Sequence, residues 1–190
     1  MRILLSSQEQ QLLSVISDRE PFGARDRALI VLALHTGLRS CELCSLNVQD
    51  VLTWDGFPRQ WVEVVGKGNR RRCVPLNARA RQCVLDLVDF NRRRGFSVAG
   101  ESPLLQTRCH KRLPTRSLRA LVQRYRERAD LDVRCSPHTF RHTAASRLVS
   151  RASLPVVQAV LGHRRVTTTQ VYTHTTPLER AQAMERLAED

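Results

Sequence analysis

Apolar positions recur at helical spacing along most of this chain, with one break to alternation. Ser7 followed by Gln10 reads as a capping box opening a helix through about Asp18, with Leu12, Leu13 and Ile16 on one face. Pro21 and Gly23 end it. A second helix is expected from about Ala24 to Thr36, carrying Ala28, Leu29, Leu32 and Ala33 inward and stopping at Gly37. Leu38 to Leu46 reads as a short helix. At Val48 the pattern changes. Val48 to Thr53, Trp61 to Val65 and Arg72 to Leu76 are strand-like runs separated by the turn signals Asp55-Gly56 and Gly66-Lys67-Gly68-Asn69. They predict a small three-stranded antiparallel sheet with Lys67 at the tip of its second hairpin.

Helical spacing then returns. Asn77 caps an expected helix from Ala78 to about Arg94, with Val84, Leu85, Leu87 and Val88 inward and Gly95 as the stop. Phe96 to Pro114 reads as a loop, and Thr115 to Ala129 as a basic helix. Ser136-Pro137 opens another helix, and Pro155 begins one that ends at Gly162. Thr167 to Tyr172 is a short element, and Leu178 to Glu189 an amphipathic terminal helix after Pro177. No internal repeat or interdomain linker interrupts the series. The fold class is mostly α with a small three-stranded antiparallel β-sheet (α+β), and residues 1–190 read as a single domain.

Composition adds a partner. The net charge of +13 and pI near 11.0 call for a polyanion, with nucleic acid favoured over an anionic membrane surface. No apolar run is long enough to span a bilayer and no signal-peptide pattern opens the chain, so an intracellular, cytoplasmic protein is expected. Of 31 basic residues only Lys67 and Lys111 are lysines, the cationic type able to release a proton near neutral pH. The six cysteines include the pair Cys41 and Cys44, and Cys109 beside His110. Without a second well-spaced pair, free thiols packed as small apolar side chains are expected rather than a metal site.

Candidate chemistry sits in four segments: Thr36-Gly37-Leu38-Arg39-Ser40-Cys41-Glu42-Leu43, the Lys67 hairpin, His138-Thr139-Phe140-Arg141-His142, and Leu161-Gly162-His163 followed by Tyr172. His138 and Arg141, three apart on a helix, share a face. Arginine forks bind phosphate oxygens, imidazoles relay protons, and a phenol is a competent nucleophile. Arg39 also stands three residues from Glu42, a spacing suited to a simple ion pair.

In this order the segments resemble the catalytic domain of the tyrosine recombinases, the phage-integrase family. All six active-site positions of that family have a counterpart here: Arg39, Lys67, His138, Arg141, His163 and Tyr172. The resemblance implies the DNA breaking-rejoining fold and site-specific recombination of double-stranded DNA through a 3′-phosphotyrosyl intermediate, with no metal or nucleotide cofactor. It makes Tyr172 the nucleophile, Arg39 and Arg141 the stabilisers of charge on the phosphate, and Lys67 the proton donor to the leaving 5′-oxygen. His138 is then a base, His163 a hydrogen-bond donor to phosphate, and Glu42 a supporting residue. A free monomer that becomes a homotetramer on paired, nucleoid-associated DNA sites is expected; the terminal helix either folds back on its own domain, the default for a monomer, or, as the resemblance implies, docks into a neighbouring subunit. Family members usually carry a separate N-terminal domain that clamps the opposite DNA face. No such core-binding domain is expected within residues 1–190. A type IB topoisomerase and a non-catalytic DNA-binding regulator, with Ala159 to Tyr172 as a helix-turn-helix, stand as alternatives.

Overall fold

The computed structural model describes residues 3–66, 71–162 and 177–188. Among them the chain forms, in order, α1 (Ser6–Ser14), α2 (Gly23–Thr36), α3 (Ser40–Ser45), α4 (Val48–Val51), β1 (Trp61–Val65), β2 (Arg71–Pro75), α5 (Ala78–Arg93), α6 (Thr115–Arg128), α7 (Pro137–Val149), α8 (Leu154–Leu161) and α9 (Pro177–Glu185). The expected element at Thr167 to Tyr172 lies outside the described residues.

Helix α2 is the spine. It packs against α5 and α7 and buries Leu29, Ile30, Leu32, Ala33 and Leu34. Even its charged Asp26 is buried, held by Arg25 (2.8 Å), Arg124 (3.1 Å) and the Tyr125 hydroxyl (3.0 Å). A helix apolar on nearly all sides is what a central position demands. It stops where expected, at Gly37, whose φ of 62° suits glycine. A Cβ there would lie 2.8 Å from Leu161 Cδ2, so the same glycine lets the end of α8 approach.

Two expectations shift. Helix α1 starts at Ser6, and Gln8 rather than Gln10 closes the box by accepting the Leu5 N–H at 3.0 Å. The run from Val48 is a turn of helix, not a strand, so the sheet among the described residues has two strands. The reason is local: Asp50 accepts the Asn47 N–H at 2.8 Å, and Val48 and Val51, three apart, are the buried positions. A short apolar run cannot be assigned by periodicity alone. Leu52 still pairs with Pro58 around the Asp55-Gly56 turn, as an isolated bridge.

The two strands are antiparallel, Val62 opposite Val74 and Val64 opposite Arg72, with Val62, Val64 and Val74 buried. Asn77 caps α5 by accepting the Ala80 N–H at 2.9 Å. Its amide also donates to the Met184 carbonyl at 2.9 Å, so α9 rests on its own chain, with Met184 and Leu187 buried and Glu185 bonded to Arg81 at 2.8 Å. Among the described residues no helix is long and apolar enough to cross a membrane. The cysteines are free and divided: Cys44, Cys83 and Cys135 are buried as expected, whereas Cys41, Cys73 and Cys109 are exposed.

Candidate active site

Four of the seven residues singled out by sequence, Arg39, Glu42, His138 and Arg141, are described, and they meet at one place. Lys67, His163 and Tyr172 lie outside the described residues.

The meeting point is built on the C-terminal end of α8. The last carbonyls of a helix have no partner within it and carry its negative pole. Here three guanidiniums take three consecutive carbonyls: Arg72 Nε donates to Val160 at 3.0 Å, Arg141 donates to Leu161, and Arg39 donates to Gly162 at 3.2 Å. Arg141 also donates to Gly37 at 2.7 Å, so it joins the ends of α2 and α8. Gly162 turns left-handed at φ 65°, and a Cβ there would stand 2.9 Å from Arg72 Cδ.

Arg141 reaches this point because Ser136 and Thr139 cap α7 reciprocally and Pro137 opens its first turn, placing His138 and Arg141 on one face. Arg141 is buried, whereas His138 is exposed. Burial, with Arg39 and Arg72 nearby, pushes the Arg141 guanidinium down to about 10, so it stays charged at neutral pH. The His138 and His142 rings meet edge to face at 4.4 Å between centroids. Burial and the neighbouring His138 and Arg141 push the His142 imidazole down, which favours its neutral form.

Glu42 ties the cluster together. Its Oε1 accepts from Arg39 Nη1 (2.8 Å) and Arg72 Nη1 (2.7 Å), and its Oε2 from the Arg39 backbone N–H (2.8 Å) and Arg72 Nη2 (2.8 Å). The ion pair suggested by the Arg39–Glu42 spacing therefore forms, and its arginine lines the cavity described below. Burial alone would raise the carboxyl, but the bonds from Arg72 and Arg39 outweigh it and hold Glu42 at about 2. A carboxyl held below its unfolded value stabilises the fold above that value and ceases to as pH falls through the folded one. Relative to 4.5, the effect is about 3 kcal/mol at neutral pH. The stability advantage of the native protein over Glu42→Gln should be full at pH 6 and shrink below pH 4.5 toward about 2, measured by denaturant melts. The difference between the two proteins separates Glu42 from Asp26, whose carboxyl burial pushes up.

Above the cluster opens a cavity of about 260 Å³ lined by Arg39, Cys41, Thr115, Arg119, His138 and Arg141 among others. Two arginines from different elements, a third on α6 and an exposed imidazole face one space, suited to a tetrahedral anion. Another cavity of about 440 Å³, between α2 and α5, mixes Asp18 and Asp86 with Arg27 and Arg79 and holds none of the candidate residues. Sequence reasoning missed Arg72, Thr115 and Arg119. Arg72 had a signal: it shares the inward register of β2 with Val74. Arg119 is one of many arginines and had none.

The profile of the phage integrase family matches residues 2–179. The chain belongs to that family. Tyrosine recombinase XerC of Pelotomaculum thermopropionicum is 35% identical over 180 residues, covering 92% of this chain and 58% of that protein. Tyrosine recombinase XerD of Haemophilus ducreyi is 33% identical over 173 residues, covering 90% of this chain and 57% of that protein. This integrase-family chain thus spans a little over half the length of these relatives. Among solved structures, XerH site-specific recombinase bound to its difH substrate in a pre-cleavage complex superposes with a TM-score of 0.70 at 26% identity, over 100% of this chain and 54% of that one. The Tn1549 transposon integrase bound to transposon right-end DNA gives 0.67 at 25% identity, over 98% and 66%. The fold is the tyrosine recombinase catalytic domain, with the helices and small antiparallel sheet described above.

Proposed function

We propose that residues 1–190 act as the catalytic domain of a site-specific tyrosine recombinase that cuts and rejoins double-stranded DNA. The observation that carries the reading is the convergence of Arg39, the N-cap of α3, and Arg141, from α7, with exposed His138 on one cavity in a chain of net charge +13. The two guanidiniums neutralise charge that builds on the non-bridging oxygens of the scissile phosphate. The Tyr172 oxygen attacks phosphorus as its proton passes to His138, and the bond to the 5′-oxygen breaks as that oxygen takes a proton from Lys67. His163 donates a hydrogen bond to the phosphate. The ester between Tyr172 and the 3′-phosphate keeps the bond energy, so a 5′-hydroxyl of a second strand reverses the step and seals the exchange. The site of action is the cytoplasm, on nucleoid DNA. A nicked duplex that loses its 5′ fragment on cleavage tests the reading: a protein–DNA adduct surviving denaturation supports it, and its absence with every strand offered sinks it.

The free protein is a monomer and the active species a tetramer on two paired sites. Support comes from α9, which is short, follows Tyr172 closely in sequence and packs against α8 and β2, with Met184 buried in it and Leu187 buried just past its end. A nine-residue helix is marginal alone and depends on the surface it packs against. Transfer of α9 to a neighbour would couple the position of Tyr172 to assembly. A chain ending at Thr176 should recombine paired sites at least about tenfold more slowly, the loss that follows from about 1.4 kcal/mol removed from the assembly step. Non-specific DNA binding, set by charge, should change little. Recombination by the shortened chain at the full-length rate would refute the coupling.

A further inference from the structure

Arg72 takes no part in the chemistry just described and does not line the cavity, yet it makes three hydrogen bonds within the cluster, as many as Arg39, which does line it. We propose that Arg72 is a positioning residue for strand cleavage, holding Glu42, and through it the phosphate-facing guanidinium of Arg39, against the end of α8. This role rests on the strand-cleavage reading above.

The geometry is that of a fork used completely. Both terminal nitrogens of Arg72 bond the two Glu42 oxygens, at 2.7 and 2.8 Å, fixing the plane of the carboxylate, while Nε is spent on Val160 at 3.0 Å. Arg39 takes the remaining lone pairs of the same two oxygens, one from its side chain and one from its backbone. The side chains grade outward, Glu42 at 1% exposed, Arg72 at 11% and Arg39 at 32%, so only the last is presented to the cavity. A carboxylate held by Arg39 alone would be free to rotate about its stem and carry Arg39 with it.

Charge points the same way. Three guanidiniums around one carboxylate leave the cluster with two net positive charges, and without Arg72 it has one. Arg72 cancels Glu42 from behind and leaves the charge of Arg39 available to phosphate. Arg72 also belongs to β2, the strand that follows Lys67 in sequence, and bonds the residue two before Gly162, which precedes His163. One side chain therefore joins α3, β2 and α8, the elements that border three of the candidate catalytic positions. Lysine cannot replace it, because an ammonium has no planar fork to serve both oxygens and Val160 together.

The test measures the first-order rate of adduct formation on nicked DNA for native protein, Arg72→Lys, Arg72→Gln and Arg39→Ala. Each is given a normal scissile phosphate and one in which a methyl group replaces a non-bridging oxygen. The methyl removes the charge that Arg39 serves. A misplacement of about 1 Å costs about 100-fold, so both Arg72 variants should be slowed by about that factor on phosphate. On the methylphosphonate their deficit should shrink to within about threefold of native, in parallel with Arg39→Ala. Equal losses on both substrates would assign Arg72 to folding alone and overturn the proposal, as would Arg72→Lys cutting phosphate at the native rate. Either result leaves strand cleavage standing. No adduct from native protein on either substrate would overturn the cleavage reading and this role together.

Discussion

Replacing Tyr172 by phenylalanine is expected to abolish the covalent protein–DNA adduct while leaving DNA affinity nearly unchanged. The nucleophile must be a group whose proton can leave as the bond to phosphorus forms. A phenol has an ordinary pKa of about 10, so it needs both a base and a positive field in the transition state. The proposed mechanism draws both from the cavity: His138 is exposed on its wall, and Arg39 and Arg141 line it while bonded to one helix end. Phenylalanine keeps the ring and removes only the attacking oxygen. Affinity comes mainly from the positive surface, which the substitution does not touch. The loss should therefore appear entirely in the chemical step. A denaturation-resistant adduct formed by Tyr172→Phe would place the nucleophile on another residue.

What could be read from the chain was local, and what could not was long-range. Gly37 and Gly162 were recognisable as helix ends because a left-handed residue after an apolar series has few other uses, and both have positive φ. Asn77 was readable as a cap for a different local reason, a side-chain oxygen placed to accept an orphan N–H of the first turn. The run from Val48 differs from expectation because its decisive signal is a polar pair, Asn47 as cap and Asp50 within a helix of only four residues. At the site, His138 and Arg141 could be placed on one face by counting. Arg72 could not be matched to Glu42, 30 residues away, or to Val160, 88 away, since nothing in a single sequence encodes those pairings. The same holds for α9, whose apolar face demanded burial without saying where. The answer, against α8 and β2 with polar bonds to Asn77 and Ala78, needed the fold.

The second large effect is expected at Lys67. The leaving 5′-oxygen is a poor leaving group unless it gains a proton as the bond breaks, and a positioned acid contributes about 100- to 10,000-fold. Only two lysines exist in the chain, and arginine does not give up its proton near neutral pH. Lys111 is exposed in the turn closed by its carbonyl on the Thr107 N–H at 2.8 Å, and it does not line the cavity. Lys67 is the remaining candidate, and the strand that follows it in sequence is tied by Arg72 to the Glu42 carboxylate. Lys67→Ala should accordingly slow cleavage by about 100- to 10,000-fold with DNA binding little altered. Sulfur in place of the 5′ bridging oxygen leaves as a stable thiolate and needs no proton. On that substrate Lys67→Ala should recover most of its lost rate, whereas Arg39→Ala should not, because the charge on the non-bridging oxygens is unchanged. If Lys67→Ala is as impaired with the sulfur substrate as with the normal one, Lys67 binds phosphate and the proton donor is another group.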